Sequence, residues 1–206
     1  YGHHSVCCPH GAGMLLRHNE LQSAMLRMAA ECGVSATAGL RQHWPSLRDP
    51  VPNVHFTYTA DMILHHFPTQ GMTYLGDFTI GHPNARTYNR RITPAVAVPL
   101  KTAHLLGKAK HRKIDKFLDA LRAQRHFVPP VAEKFVPLAM ESYGAAGEEL
   151  VSLFKGLVSR WREMRHATES QVSIFRHKWR YRISTAVQAR NAELLSSGLL
   201  KWSCRS

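Results

Sequence analysis

Two apolar runs joined by a turn signal constrain this chain more than any other stretch. "VHFTYTADMILHHF" (54–67) and "MTYLGDFTIGHP" (72–83) are rich in β-branched and aromatic residues, and "PTQG" (68–71) supplies turn formers between them. The pattern predicts a β-hairpin with one aspartate on each arm, Asp61 and Asp77. Asp77 is the residue out of place, set among Tyr74, Leu75, Phe78 and Ile80. A carboxylate in an apolar strand costs several kcal/mol unless it is paired, hydrogen-bonded or bound to a metal. Two readings follow. Either Asp77 lies at an exposed edge or in a tight turn after Gly76, or a rigid strand holds it there to coordinate a cation.

The flanking segments alternate between helix and strand signals. Leu21, Ala24, Met25 and Met28 recur at helical spacing, and Gly33 is placed to cap that helix. Residues 34–54, with Pro45, Pro50 and Pro52, suit one short strand and a loop. A second helix is predicted over about 100–125, with Ile114, Phe117, Leu118 and Leu121 as its apolar stripe. "KFVPLAMES" (134–142) reads as a buried strand ending near Glu141. A third helix carries Leu150, Leu153, Phe154, Leu157, Val158 and Trp161, with Glu148 and Glu149 suited to its N-terminal dipole. The last, over about 168–196, lines up Val172, Phe175, Trp179, Ile183 and Ala186. Helix, strand, hairpin, helix, strand and two helices make an α/β arrangement.

Charge narrows the partner. Lys and Arg number 27 against 14 Asp and Glu, a net charge of +13, and 14 histidines can add to it in mild acid. Such an excess points to a polyanion, nucleic acid before an acidic membrane surface. No apolar run approaches the about 20 residues that span a bilayer, so no membrane partner is expected. The polar start "YGHHSVCCPHG" does not read as a secretory leader, and Cys7, Cys8, Cys32 and Cys204 make a poor disulfide framework. An intracellular, nuclear location is expected. The opening Tyr suggests a piece of a longer or trimmed chain.

On hairpin arms, Asp61 and Asp77 can converge. Two carboxylates a few Å apart repel unless a cation lies between them. Mg²⁺ takes one or two carboxylates and fills its shell with water and phosphate oxygens, and Mn²⁺ accepts similar oxygen ligands. A nearby lysine could orient the attacking water and offset developing charge. The second helix offers Lys110, Lys113 and Lys116, together with Lys108, His111 and Arg112. The order helix, three strands, helix, strand is that of the PD-(D/E)XK nuclease core, which carries its acids on the second and third strands.

The motifs resemble the restriction-like endonuclease region of non-LTR retrotransposon polyproteins, downstream of the reverse transcriptase. The likeness runs from His4 to about Trp161. "HSVCCPHGAGMLLRHNEL" (4–21) is similar to the family's H-x-x-x-C-P-x-G…RHN entry, with His4 and Cys8 at matching spacing. "TADMIL" (59–64) stands where the family has RPD-I, and "LGDFTIGHP" (75–83) resembles D-V-x-V-x-x-P. "KIDKF" (113–117) is similar to K-x-x-K-Y, and "FVPLAMESYGAAG" (135–147) to F-x-P-x-x-x-E-x-x-G-x-x-G, the most specific piece. The resemblance implies a Mg²⁺- or Mn²⁺-dependent endonuclease that nicks target DNA to prime reverse transcription. It implies Asp61 and Asp77 as metal ligands and Lys113 as the catalytic lysine, moved to the helix because Thr79 stands two residues after Asp77. Thr59 and Ala60 replace the family's Arg/Lys-Pro. The implied layout is a partial His/Cys-rich zinc-knuckle remnant at 1–13, an endonuclease core at 14–147 and a basic helical extension at 148–206.

Other candidates carry two readings each. His4 and Cys8 are half of a zinc site whose other ligands would lie upstream, or part of a disordered terminus. Arg17 and His18 contact phosphate, or simply start a solvated helix. Glu20 is an extra active-site acid or a helix-surface residue, and Glu141 a site acid or a helix-start carboxylate. Within "RHKWRYR" (176–182), Arg176, Lys178 and Arg180 grip a nucleic-acid backbone, or form the solvated side of an amphipathic helix. Two further functions compete with the nuclease. One is a catalytically inactive nucleic-acid-binding remnant. The other is an accessory domain that docks the upstream reverse transcriptase onto element RNA.

Overall fold

The computed structural model of the chain describes residues 13–38, 60–81, 107, 109, 112, 115 and 133–203. In chain order these form helix α1 (Gly13–Glu31), strands β1 (Ala36–Ala38), β2 (Met62–His65), β3 (Thr73–Gly81) and β4 (Glu133–Glu141), and helices α2 (Glu148–Arg165) and α3 (Glu169–Ser203). The strands make one mixed sheet in the order β1-β2-β3-β4. β1–β2 and β2–β3 are antiparallel, while β3–β4 is parallel. A parallel neighbour needs a crossover connection. Gly107, Ala109, Arg112 and Asp115, the described residues between β3 and β4, are all helical.

Local chemistry sets the element ends. α1 stops where Gly33 takes a positive φ of 67°. Its N–H bonds to the Ala30 carbonyl and that of Val34 to the Ala29 carbonyl, the paired closure of a Schellman cap. The expected hairpin forms about its turn, with the Phe67 N–H on the Met72 carbonyl. β2 ends at His65 because His66 adopts a φ of 55°, which a strand cannot continue through. α3 opens on a capping box: the Gln171 amide donates to Thr168 Oγ1, and the Thr168 amide returns a bond to Gln171 Oε1 at 2.8 Å.

Alternation along the strands separates two faces. Met62, Leu64, Tyr74, Phe78, Val136, Leu138 and Met140 pack against α1, α2 and α3 in a single core. That core includes Leu21, Met25 and Met28 from α1, Leu153 and Leu157 from α2, and Phe175 and Trp179 from α3. Trp161 stacks on Phe175 with ring centroids 4.2 Å apart. Residues 148–196 therefore share the core of the sheet. The other face is buried as well, at Leu75, Asp77, Phe135 and Ala139. A methyl group at Gly107 would stand 3.9 Å from Pro137 Cγ, which puts this helical residue against that side of β4.

One expectation needs correction. The buried stripe of α3 continues through Val187 and the polar Asn191, and Ala186 is only half-buried. The buried positions step by four from Phe175 onward, through Trp179, Ile183, Val187 and Asn191. No described helix is long and apolar enough to cross a membrane.

Gly76 is the tightest point of the sheet. A Cβ there would lie 2.7 Å from Leu138 Cδ1 and 3.4 Å from Met62 Cε, and both side chains are fully buried. Gly76→Val is expected to destabilise the fold by about 1–3 kcal/mol through overpacking. A lowered urea midpoint at unchanged slope would register it.

Candidate functional site

The β2–β3 register pairs Met62 with Gly76. Asp61, one residue before, and Asp77, one residue after, are thereby brought together. The Asp61 N–H donates to the Gly76 carbonyl at 2.8 Å. The Asp61 side chain reaches across, where its Oδ2 accepts the Phe78 N–H at 2.6 Å. Asp77 is buried, and its side chain interacts directly with that of Asp61. This excludes the exposed-edge reading of Asp77.

α1 supplies the other wall. His18 Nε2 lies 2.9 Å from Asp61 Oδ2 and its Nδ1 lies 3.3 Å from Asn19 Oδ1, so both ring nitrogens face oxygens. The His18 ring meets Phe78 edge-on, with centroids 6.1 Å apart. One turn further along, Gln22 Nε2 donates to the Asp61 carbonyl. The only mark of Gln22 in the sequence is its i+4 spacing from His18, which puts both on one helix face.

Electrostatics couple these groups. The hydrogen bond to Asp61 raises the His18 imidazole above 6.5, against the opposing pull of burial, with help from the Asp61 charge. Burial pushes the Asp61 carboxyl up, but the His18 hydrogen bond, the Asp77 contact and the Phe78 amide outweigh it and leave the group below 3.8. A carboxylate pair in contact needs a proton or a cation between its oxygens.

The remaining candidates lie elsewhere. Arg17 is buried, and its Nη1 donates to Asn191 Oδ1 at 3.0 Å, inside the α1–α3 interface. Glu20 is paired with Arg190 Nη2 at 2.5 Å, and Arg190 also holds Glu193, away from the aspartates. Glu141 is fully buried at the end of β4, four residues beyond the Asp77 partner Pro137, or about 13 Å along the strand. Its N–H and carbonyl bond to Ala145 and Gly144 and shape the turn into α2. Arg112 is helical and exposed. Lys110, Lys113, Lys116, His4 and Cys8 lie outside the described residues.

The basic segment of α3 divides between two sides of the helix. Arg176 and Arg180 are both exposed, and Arg180 lies over the Phe154 ring of α2 at 5.9 Å. Lys178 turns toward α1 and pairs with Glu31 at 2.5 Å.

Among the described residues, no set of three or more His, Cys, Asp or Glu side chains is arranged to hold a metal. A two-carboxylate set still fits a hard cation such as Mg²⁺, which completes its octahedron with water and phosphate oxygens. It does not fit Zn²⁺, which wants four protein ligands, or three and an open site, in a nitrogen- and sulfur-rich set. No protein-family model matches the chain, and no curated protein matches it as a relative.

The His18–Asp61 pair makes stability depend on pH. With its pKa raised, His18 contributes fully below pH 6.5 and loses that contribution as pH rises through its folded value. With its pKa lowered, Asp61 contributes fully above pH 3.8 and loses that contribution as pH falls through its folded value. The pair is therefore worth most between 3.8 and 6.5. Urea titrations of the chain and of His18→Leu are expected to differ more at about pH 5 than at about pH 9.

Proposed function

We propose that the chain is a metal-dependent DNA endonuclease of the PD-(D/E)XK type, from the C-terminal part of a non-LTR retrotransposon reverse transcriptase polyprotein. The observation that carries this reading is the meeting of Asp61 and Asp77 across the β2–β3 pair, one of them buried. Element order supports it: a helix, three strands in antiparallel succession, a connection whose four described residues are helical, and a fourth strand parallel to the third.

In this reading Asp61 and Asp77 hold Mg²⁺ or Mn²⁺ beside the scissile phosphate. A metal bound there supplies a Lewis acid and lowers the pKa of a coordinated water. The strand backbone fixes both acids, and burial of Asp77 keeps bulk water off one side of the pair. Lys113 is the group assigned to balance the developing negative charge. Arg176 and Arg180 meet the phosphate backbone and carry no sequence information. The substrate is target DNA in the nucleus, with the upstream reverse transcriptase as a covalent partner and element RNA as a second nucleic acid.

A nicking assay on supercoiled plasmid tests it. Asp77→Ala is expected to lower Mg²⁺- or Mn²⁺-dependent nicking by about 10²-fold or more, since a bound metal contributes several kcal/mol of charge stabilisation. A folded, DNA-binding parent with no nicking under either metal would sink the enzymatic reading. The replacement of Arg/Lys-Pro by Thr59 and Ala60 favours, as the second reading, a binding remnant without chemistry. RNA binding tighter than DNA binding and indifferent to both aspartates would instead identify the accessory domain.

The basic surface has its own readout. Removing one phosphate contact with Arg176→Ala or Arg180→Ala is expected to flatten the plot of log affinity against log salt by about 0.9 for duplex DNA. Lys178→Ala, which breaks the pair with Glu31, is expected to leave that slope nearer the parent value.

A further inference from the structure

His18 and the Phe78 amide converge on one oxygen of Asp61. Oδ2 accepts from Phe78 N at 2.6 Å and lies 2.9 Å from His18 Nε2. A carboxylate oxygen has two lone-pair sites, so this oxygen is fully engaged by protein. Oδ1 is the oxygen left for the contact with Asp77 and for a cation held between the two acids. Resting on the metal-site reading above, we propose that His18 is a positioning residue that makes Asp61 a one-oxygen ligand and so tunes the site for Mg²⁺ and Mn²⁺ over Ca²⁺.

The selectivity follows from coordination chemistry. Ca²⁺ gathers six to eight oxygens in loose geometry and readily takes both oxygens of a carboxylate. Mg²⁺ demands a near-regular octahedron with single-oxygen ligands. A carboxylate with one oxygen tied down cannot chelate through both. The tie is well placed: Gln22 on the next turn of α1 holds the Asp61 carbonyl, and the His18 ring rests edge-on against Phe78. The Asp61 backbone, its side-chain torsion and the ring that restrains it are fixed by the same helix face and strand. Ligand-orienting partners of this kind typically change metal affinity by about 10–100-fold.

The test measures Mn²⁺ binding to the full chain by electron paramagnetic resonance, with Ca²⁺ as competitor and no nuclease readout. His18→Leu fills the space beside Phe78 but donates no hydrogen bond. His18→Gln keeps an N–H donor at similar reach. His18→Asn, one methylene shorter, serves in place of the leucine variant should that one fail to fold. The proposal expects Mn²⁺ affinity to fall about 10–100-fold in His18→Leu or His18→Asn, with Ca²⁺ competing better than in the parent, and to recover in His18→Gln. Parent-like Mn²⁺ affinity and an unchanged Mn²⁺/Ca²⁺ ratio in folded His18→Leu, or in His18→Asn where the leucine variant does not fold, would overturn it while leaving the metal site standing. Parent binding no tighter than that of Asp77→Ala would overturn the metal site itself, and this proposal with it.

Discussion

The pairing of Met62 with Gly76 sets where two carboxylates meet, and much of the molecule is arranged around it. Side chains on a strand alternate, so a slip of one residue would send Met62 and Leu64 out of the core and part Asp61 from Asp77. Three features hold the register. Gly76 leaves room for Leu138 and Met62, which close over it from both neighbouring strands. The turn at 66–72 fixes the length of the hairpin. The parallel contact of β3 with β4 runs over nine residue pairs, so β3 is held along its whole length from the other side.

Putting acids at that point has a cost that the surroundings offset unevenly. Asp61 is well provided for, with a backbone amide and an imidazole on one oxygen, and its pKa is lowered despite burial. Asp77 is the more buried of the two and has a second carboxyl group as its neighbour. Such a pair is a poor way to stabilise a fold, because apolar residues of similar volume would do as well or better. It is a sound way to bind a small hard cation. The cationic side chains are divided as well. Arg17, Lys178 and Arg190 hold helices together, whereas Arg176 and Arg180 remain at the surface where a phosphate chain can reach them. A net charge of +13 thus overstates the charge available to a partner.

Legibility in the sequence tracked how local each signal was. The hairpin could be read because its turn, its alternation and its two aspartates all lie within thirty residues of sequence. Gly33 could be read as a cap because a Schellman closure needs only the residues beside it. In the sequence His18 reads as a phosphate contact or the start of a solvated helix, since its bond to Asp61 spans 43 positions and follows from how α1 lies on the sheet. Arg17 was misleading for the same reason: its partner Asn191 is 174 positions away. The end of β2 escaped because a histidine in left-handed conformation has no strong sequence mark. Ala186, expected on the apolar side of α3, is only half-buried because the buried positions of that helix advance by four from Phe175 to Val187.

The neighbours Arg17 and His18 explain how α1 can serve as a rigid wall. Consecutive helical residues point about 100° apart, so one faces α3 and the other the sheet. Arg17 ties α1 to Asn191, and Asn191 Nδ2 in turn donates to the Ser142 carbonyl at 2.6 Å, just past the end of β4. His18 ties the same turn of α1 to Asp61. One turn of helix is thus pinned to both ends of the chain's long-range architecture, by a buried guanidinium on one side and an imidazole on the other. A buried guanidinium deprived of its acceptors is strongly unfavourable, so α1 has little freedom to slide or roll. The imidazole consequently meets Asp61 at a fixed height and angle. That constancy is what a carboxylate must have if it is to offer a cation one chosen oxygen.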